Sequence, residues 1–152
     1  MQQYQGLADE LGLLLATETR SLVRHLETAT PYVTPATYRI WDELKRMADV
    51  SEQHAQRLSA LQESLKLPPR PRPFSPVVAN YHYVGIDFLL PKLIEEMRQQ
   101  IAAYRRAINH AGSDEPVRVE LESLLAENEA RLKTLEGFHR SLADNPAPAE
   151  SP

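Results

Sequence analysis

The sequence predicts an all-α protein, a bundle of four long helices in which a long crossover connects the second helix to the third. Apolar residues recur every three or four positions along four separate stretches, which is the spacing of one buried helix face. Glycine occurs only 5 times, and the 12 prolines fall at the boundaries of these stretches or in the connectors. The prolines therefore indicate where helices end and do not argue against helices.

The chain of 152 residues has the size of one domain and is long enough to bury a hydrophobic core. We assign residues 1–143 to the bundle. Residues 144–152 are polar and interrupted by prolines, so we expect a disordered C-terminal tail.

Composition excludes several classes of function. The chain contains no cysteine, which rules out disulfides, thiol catalysis and cysteine-based metal sites. The net charge of −4 comes without a concentrated basic stripe, so nucleic acid is not expected as a partner. No apolar run approaches the ~20 residues of a membrane span, and the N-terminus lacks the layout of a signal peptide. We expect no membrane association and a cytoplasmic location.

The first two helices are separated by two threonine-proline pairs. The first helix is predicted to run from about residue 3 to residue 28, because Thr30 precedes Pro31 and is disfavoured in the helical region. Thr34 is expected to cap the second helix with Pro35 in its first turn. This helix is predicted to extend to about Lys66.

The connector at about residues 67–86 begins with a proline-rich run. At ~3.1 Å per residue in polyproline II, about 16 to 19 residues reach ~50 to 59 Å, whereas a second helix of about 32 residues is ~48 Å long. We predict a crossover along the whole bundle, with Phe74, Tyr81 and Tyr83 packed against it. An interdomain linker is disfavoured because neither half buries its apolar face alone.

The third helix is predicted to begin between residues 87 and 90, with Pro91 in its first turn or at a kink. It is expected to end with Gly112 as a glycine C-cap. Ser113 or Asp114 is then expected to cap the fourth helix.

Polar residues interrupt the apolar seams near the middle of the predicted helices. In the second helix, Ser51 and His54 are three positions apart and therefore lie on the same face. The first helix contributes Glu18, and the fourth contributes the pair Asn128 and Arg131. The third helix stays apolar at this level, where Met97 lies. The sequence thus predicts one central layer formed by Glu18, Ser51, His54, Met97, Asn128 and Arg131.

Three segments resemble the ferritin-like superfamily, of the bacterioferritin and rubrerythrin type: SEQHAQRL at 51–58, IAAYRRAI at 101–108 and LLAENEARLKTLE at 124–136. The resemblance covers all four helices and implies a ferritin-like four-helix bundle. In that superfamily a di-iron site uses a Glu from each of two helices and Glu-x-x-His from each of the other two.

Carried over to this chain, the metal positions of the family fall on the six residues of the central layer. Only Glu18 and His54 match the family's ligand types, and Arg131 stands where the second histidine belongs. A guanidinium brings its own charge and does not ligate metal. We therefore expect a degenerate site without a metal cofactor, where Arg131 neutralises Glu18 within a buried polar network.

Two alternatives concern the details of this site. A slip of the fourth helix by one residue places Glu127 and Ala130 inward, and a histidine is still missing. A reduced site is the second alternative, with iron held by Glu18 and His54 and helped by Glu52 or Glu127. Tyr104, inward on the third helix, is favoured as an ordinary core tyrosine over a redox role.

The expected function is that of a non-catalytic ferritin-like protein with a structural, interaction or binding role. We expect a homodimer through the first and second helices. The proline-rich run at residues 68–73 also has the PxxP form of a partner-recognition segment, although the crossover already accounts for it. The alternatives are an iron-dependent oxidoreductase or iron-handling protein, and a small-molecule binding module that uses the bundle centre.

Overall fold

The computed structural model describes residues 2–26, 31–67 and 85–144, without the side chains of residues 2–4 and 25. These ranges form four long helices and one short helix: α1 (Gln2–Arg20), α2 (Leu22–His25), α3 (Tyr38–Ser64), α4 (Ile86–Ala111) and α5 (Glu115–Asp144). The prediction of an all-α architecture with four long helices is confirmed for this part of the chain. The predicted packing of Phe74, Tyr81 and Tyr83 lies outside the described residues. The predicted C-terminal tail lies outside them as well, except for Asp144, which is the last residue of α5.

The predicted first helix is divided at Ser21, so the prediction of an unbroken helix is wrong. Ser21 has an extended backbone (φ −64°, ψ 158°), and its Oγ accepts a hydrogen bond from the Arg24 N–H at 3.3 Å. The N–H of Leu22 donates to the Glu96 carboxylate of α4, at 3.0 and 3.3 Å from its two oxygens. At the break, the N–H groups of Leu22 and Arg24 have no partner within a continuous helix, and these two acceptors replace it. The contact with α4 therefore stabilises the break.

The boundaries of α3 also differ from the prediction, because Thr34 does not cap this helix. The Thr34 N–H donates to Thr37 Oγ1 at 2.9 Å, and the Thr37 N–H donates to the Thr34 carbonyl at 3.0 Å. These bonds form a turn that delays the helix start to Tyr38. At the other end, α3 stops at Ser64 because Lys66 adopts a positive φ of 55°.

The boundaries of α4 and α5 agree closely with the prediction. α4 begins one residue earlier than expected and continues through Pro91. Gly112 follows it with φ 59°, which confirms the glycine C-cap. The Oδ1 of Asp114 accepts the N–H of Val117 at 3.4 Å, so Asp114 caps α5.

The core consists of two apolar clusters at opposite ends of the bundle. The first cluster contains the start of α1, the end of α3, the end of α4 and the start of α5, including Leu7, Leu58, Ala107 and Leu121. The second cluster contains α2, the start of α3, the start of α4 and the later part of α5, including Leu26, Leu44, Leu89 and Leu135. α1 is therefore antiparallel to α3 and α4, and α3 and α4 run in the same direction.

The main helix contacts place α1 beside α3 and α4, and α5 beside α4 and α3. All four long helices therefore converge on the space between the two clusters, where the candidate site lies. Among the helices described, none combines the length and the apolar character needed to cross a membrane.

Candidate functional site

A layer of buried polar side chains separates the two apolar clusters in the centre of the bundle. It contains Glu18 from α1, Ser51 and His54 from α3, and Asn128 and Arg131 from α5, and none of them is more than 8% exposed. The residues of α3 and α5 lie near the middle of their helices, whereas Glu18 lies in the last turn of α1, just before the break at Ser21. The structure thus brings together five of the six residues that the sequence assigned to the layer.

The Arg131 guanidinium makes direct hydrogen bonds to α3 and to its own helix. Its Nη2 donates to Ser51 Oγ at 2.8 Å, and its Nη1 donates to Asn128 Oδ1 at 2.9 Å. Nη1 also lies 3.9 Å from Glu18 Oε2. Burial lowers the pKa of Arg131, and the negative charge of Glu18 opposes this shift. Since a guanidinium stays protonated in proteins, the layer contains a fixed positive charge.

The Glu18 carboxylate is surrounded by polar groups from α3 and α4. Its Oε1 accepts hydrogen bonds from the Tyr104 hydroxyl at 3.0 Å and from the Gln100 side-chain amide. The same oxygen lies 3.3 Å from His54 Nδ1. Burial and then the charge of Glu18 raise the pKa of Tyr104, so its hydroxyl remains a donor. Tyr104 thus supports the buried carboxylate as part of the core.

On α4, Gln100 reaches Glu18, whereas Met97 belongs to the second apolar cluster. Sequence reasoning missed Gln100 because the apolar seam of this helix continues through Met97. A signal for it exists in the sequence. Glu96, Gln100 and Tyr104 recur at intervals of four, which places three polar residues on one stripe beside the seam.

His54 connects the layer to the surface of α5. Its Nδ1 lies 3.4 Å from Arg131 Nη1, and its Nε2 lies 3.6 Å from Oε2 of Glu127. Glu127 is held in turn by Arg57, whose Nη1 is 2.6 Å from the same carboxylate oxygen. A hydrogen on Nδ1 lets His54 donate to Glu18, whereas a hydrogen on Nε2 leaves Nδ1 free to accept from Arg131. Either tautomer gives the imidazole a partner in the layer.

The alternative positions weighed from the sequence lie at the surface. Glu127 and Ala130 are exposed, so the one-residue slip of the fourth helix is wrong. Glu52 is also exposed and forms an ion pair with Arg24, an interaction that lowers the pKa of the Glu52 carboxyl.

The donors in the layer do not fit a di-iron centre. Glu18 and His54 supply one carboxylate and one imidazole, and within the described ranges no three His, Asp or Glu side chains form a metal-binding group. The nearby Arg131 cation disfavours a second positive charge at this point. The arrangement instead balances a buried carboxylate with a buried cation and shared hydrogen bonds.

The chain matches no protein-family model, and no curated protein or solved structure is significantly similar to it. Fold and site together define a four-helix protein whose two apolar clusters are separated by a charge-balanced polar layer.

Proposed function

We propose that this chain is a non-catalytic ferritin-like protein in which a buried polar network stands at the positions of a di-iron site. Its role is structural or interaction-based. The observation that carries the proposal is the position of the Arg131 guanidinium, 2.8 Å from Ser51 Oγ and 2.9 Å from Asn128 Oδ1. In the family resemblance those two positions belong to bridging carboxylates. A fixed cation thus takes the place of the metal charge.

The directions of the helices support the ferritin-like topology and its crossover. Leu65 and Leu67, after the end of α3, pack against the first cluster, whereas Ile86 at the start of α4 belongs to the second. The end of α3 and the start of α4 thus lie at opposite ends of the bundle, which supports the proposed crossover. A short helix hairpin of ~2 to 8 residues produces antiparallel neighbours, whereas two parallel helices in a bundle require a long connection.

The layer also has a structural role that needs no metal. In α3, α4 and α5, buried apolar residues lie on both sides of the polar residues, so a shift along the axis places polar groups against apolar ones. Buried polar positions specify register in this way in other helix assemblies. We infer that the layer holds the four long helices in one axial alignment.

Metal analysis of the purified chain tests the non-catalytic assignment. The protein is incubated anaerobically with Fe²⁺, and separately with Mn²⁺, then desalted and analysed by mass spectrometry for metals. We expect far less than one metal ion per chain. We expect the same low metal content in two variants, His54→Ala and the matched control His139→Ala. His139 is an exposed histidine of α5.

The proposal is contradicted if the wild type binds one metal ion per chain and this ion is lost in His54→Ala but retained in His139→Ala. That outcome supports the alternative function, an iron-dependent oxidoreductase or iron-handling protein that uses Glu18 and His54. Binding that both variants retain indicates a surface site and leaves the assignment of the layer intact.

We further propose that the chain forms a cytoplasmic homodimer through α1 and α3. Leu13 and Leu15 of α1 and Trp41 of α3 are only partly buried in the single chain, and a second copy is expected to cover such side chains. Light scattering after gel filtration tests this point, with twice the chain mass of 17.2 kDa expected. A monomer at all concentrations contradicts the dimer and leaves the polar layer unaffected.

A further inference from the structure

Arg131 retains one donor that its contacts with the layer do not use. Its Nε is buried and has no hydrogen-bond acceptor among the described side chains. The residue is only 8% exposed, so bulk solvent does not supply an acceptor readily. Buried polar groups of proteins nearly always have a partner, which is either protein or ordered water. The Nε–H therefore requires an acceptor other than the described side chains.

Arg131 borders a small cavity of about 10 Å³, on the side of the layer facing the second cluster. Its polar walls come from Ser21, Glu96, Gln100 and Arg131, and its other walls are buried apolar side chains. This volume is about that needed for one water molecule. A cavity lined by a charged donor and several acceptors is wet, whereas apolar cavities of proteins stay dry.

We propose that this cavity is a binding site for one resident water molecule, which accepts the Nε–H of Arg131 and donates to the Glu96 carboxylate. Glu96 already accepts the Leu22 N–H at 3.0 Å. The water therefore extends the polar layer into a continuous chain from Ser51 through Arg131 and Glu96 to the break between α1 and α2. This chain of contacts does not depend on whether the bundle descends from a metal protein.

The charges on the two sides of the cavity favour such a bridge. Burial raises the pKa of Glu96, and the positive charge of Arg131 opposes that rise. Both groups line the cavity, so a carboxyl group and a guanidinium border the same small space. A water molecule that bridges two protein polar groups is nearly as favourable in enthalpy as a direct hydrogen bond.

A route for water to enter exists between α1 and α4. A groove of about 320 Å³ there is lined by Leu13 and Thr17 of α1 and by α4, including Glu96 and Gln100. Glu96 and Gln100 thus line both the groove and the cavity. Because Glu96 is only half-buried, we expect rotation of its side chain to connect the two spaces and to let the bound water exchange with solvent.

The direct test is an NMR experiment on the full chain with ¹⁵N-labelled arginine. The Arg131→Lys variant identifies the Arg131 Hε signal, because lysine retains the charge and lacks this proton. A resident water molecule gives a cross-peak from water to Arg131 Hε with opposite signs in NOE and ROE spectra. An assigned Arg131 Hε signal without this cross-peak overturns the proposal.

Three variants test the partners of the water. Among the residues that line the cavity, Ser21 alone has a hydroxyl, and Ser21→Ala removes it. A cross-peak retained in this variant shows that the signal is not relayed through the hydroxyl, whereas loss of the cross-peak counts against the water. Glu96→Gln keeps an acceptor and is expected to retain the cross-peak, whereas Glu96→Leu is expected to lose it. An unchanged cross-peak in Glu96→Leu contradicts the bridge to Glu96. If Glu96→Leu does not fold, the wild-type spectrum and the other two variants still decide.

Discussion

The Arg131 guanidinium of α5 faces the Glu18 carboxylate of α1 across the centre of the bundle, with Nη1 3.9 Å from Oε2. The shortest hydrogen bonds of the guanidinium go to Ser51 and Asn128, so the ion pair acts mainly through charge. Both groups are buried, and Glu18 has no exposed surface at all. Each charge therefore depends on the other for compensation, because both are shielded from bulk water.

Replacing Arg131 by Met is expected to destabilise the protein by about 3–5 kcal/mol, because it leaves the Glu18 charge uncompensated. Chemical denaturation monitored by circular dichroism measures this change. The matched control is Arg98→Met, which removes an exposed ion pair with Glu136 and is expected to cost less than ~1 kcal/mol. Equal effects of the two substitutions would mean that Arg131 does not neutralise a buried charge.

The double variant Glu18→Gln with Arg131→Met distinguishes the charge pair from simple packing. If Arg131 mainly compensates Glu18, removing both charges is expected to be less destabilising than the sum of the two single changes by about 1–3 kcal/mol. Denaturant midpoints of the four proteins in the cycle provide the measurement. Strict additivity contradicts the coupling.

Tyr104→Phe is expected to destabilise the protein by about 1–3 kcal/mol, because the Glu18 oxygen loses a donor in a buried site. Tyr38→Phe is the matched control, since Tyr38 is 58% exposed, and it is expected to have little effect. Thermal and denaturant unfolding of both variants test the difference. A neutral Tyr104→Phe change would show that the hydroxyl does not support the carboxylate.

The stability of the protein is expected to fall as the pH rises through neutrality, because of Glu96. Burial raises its pKa from 4.5 to about 7, against the opposing effects of the Leu22 N–H and Arg131. The folded state therefore binds the proton more tightly than the unfolded chain, and the stabilisation present below about pH 4.5 is lost as the pH rises through 7. The charges that face Glu96 are those of Glu18 and Arg131.

The Glu96→Gln variant isolates this effect, because it removes the titrating group and retains the shape of the side chain. Between about pH 5 and pH 8, the wild type is expected to lose of the order of 1–3 kcal/mol relative to the variant. Urea unfolding at both pH values measures the difference. Parallel pH profiles of the two proteins would exclude Glu96 as the source.

Gly137→Ala is expected to stabilise the protein by about 0.5–1 kcal/mol, because alanine is the better helix former at an interior helix position. A Cβ at Gly137 meets nothing within 4 Å, whereas one at Gly6 comes within 2.6 Å of the His110 ring. Gly6→Ala is therefore expected to gain less, or to destabilise. Melting temperatures of the two variants provide the comparison, and a larger gain at Gly6 contradicts the predicted clash.

Most of the central layer was predictable because helical periodicity assigns a face to each residue before the partners are known. Ser51 and His54 share the face of Leu44 and Leu58, so their burial follows from the apolar residues around them. The contribution of α4 was not predictable in the same way. Its seam stays apolar at Met97, and only the orientation of α4 toward Glu18 brings Gln100 into the layer.

Local sequence signals specify the four long helices, the glycine cap at Gly112 and the inward faces, because these depend on interactions between residues close together in the chain. The break at Ser21 has a different origin. At this break the Leu22 N–H donates a hydrogen bond to Glu96, which lies 74 residues further along the chain. No local sequence pattern encodes that contact. The pairing of Arg131 with Glu18 likewise depends on the tertiary structure. Packing buries both side chains away from bulk water, so each charge is balanced by the opposite charge beside it.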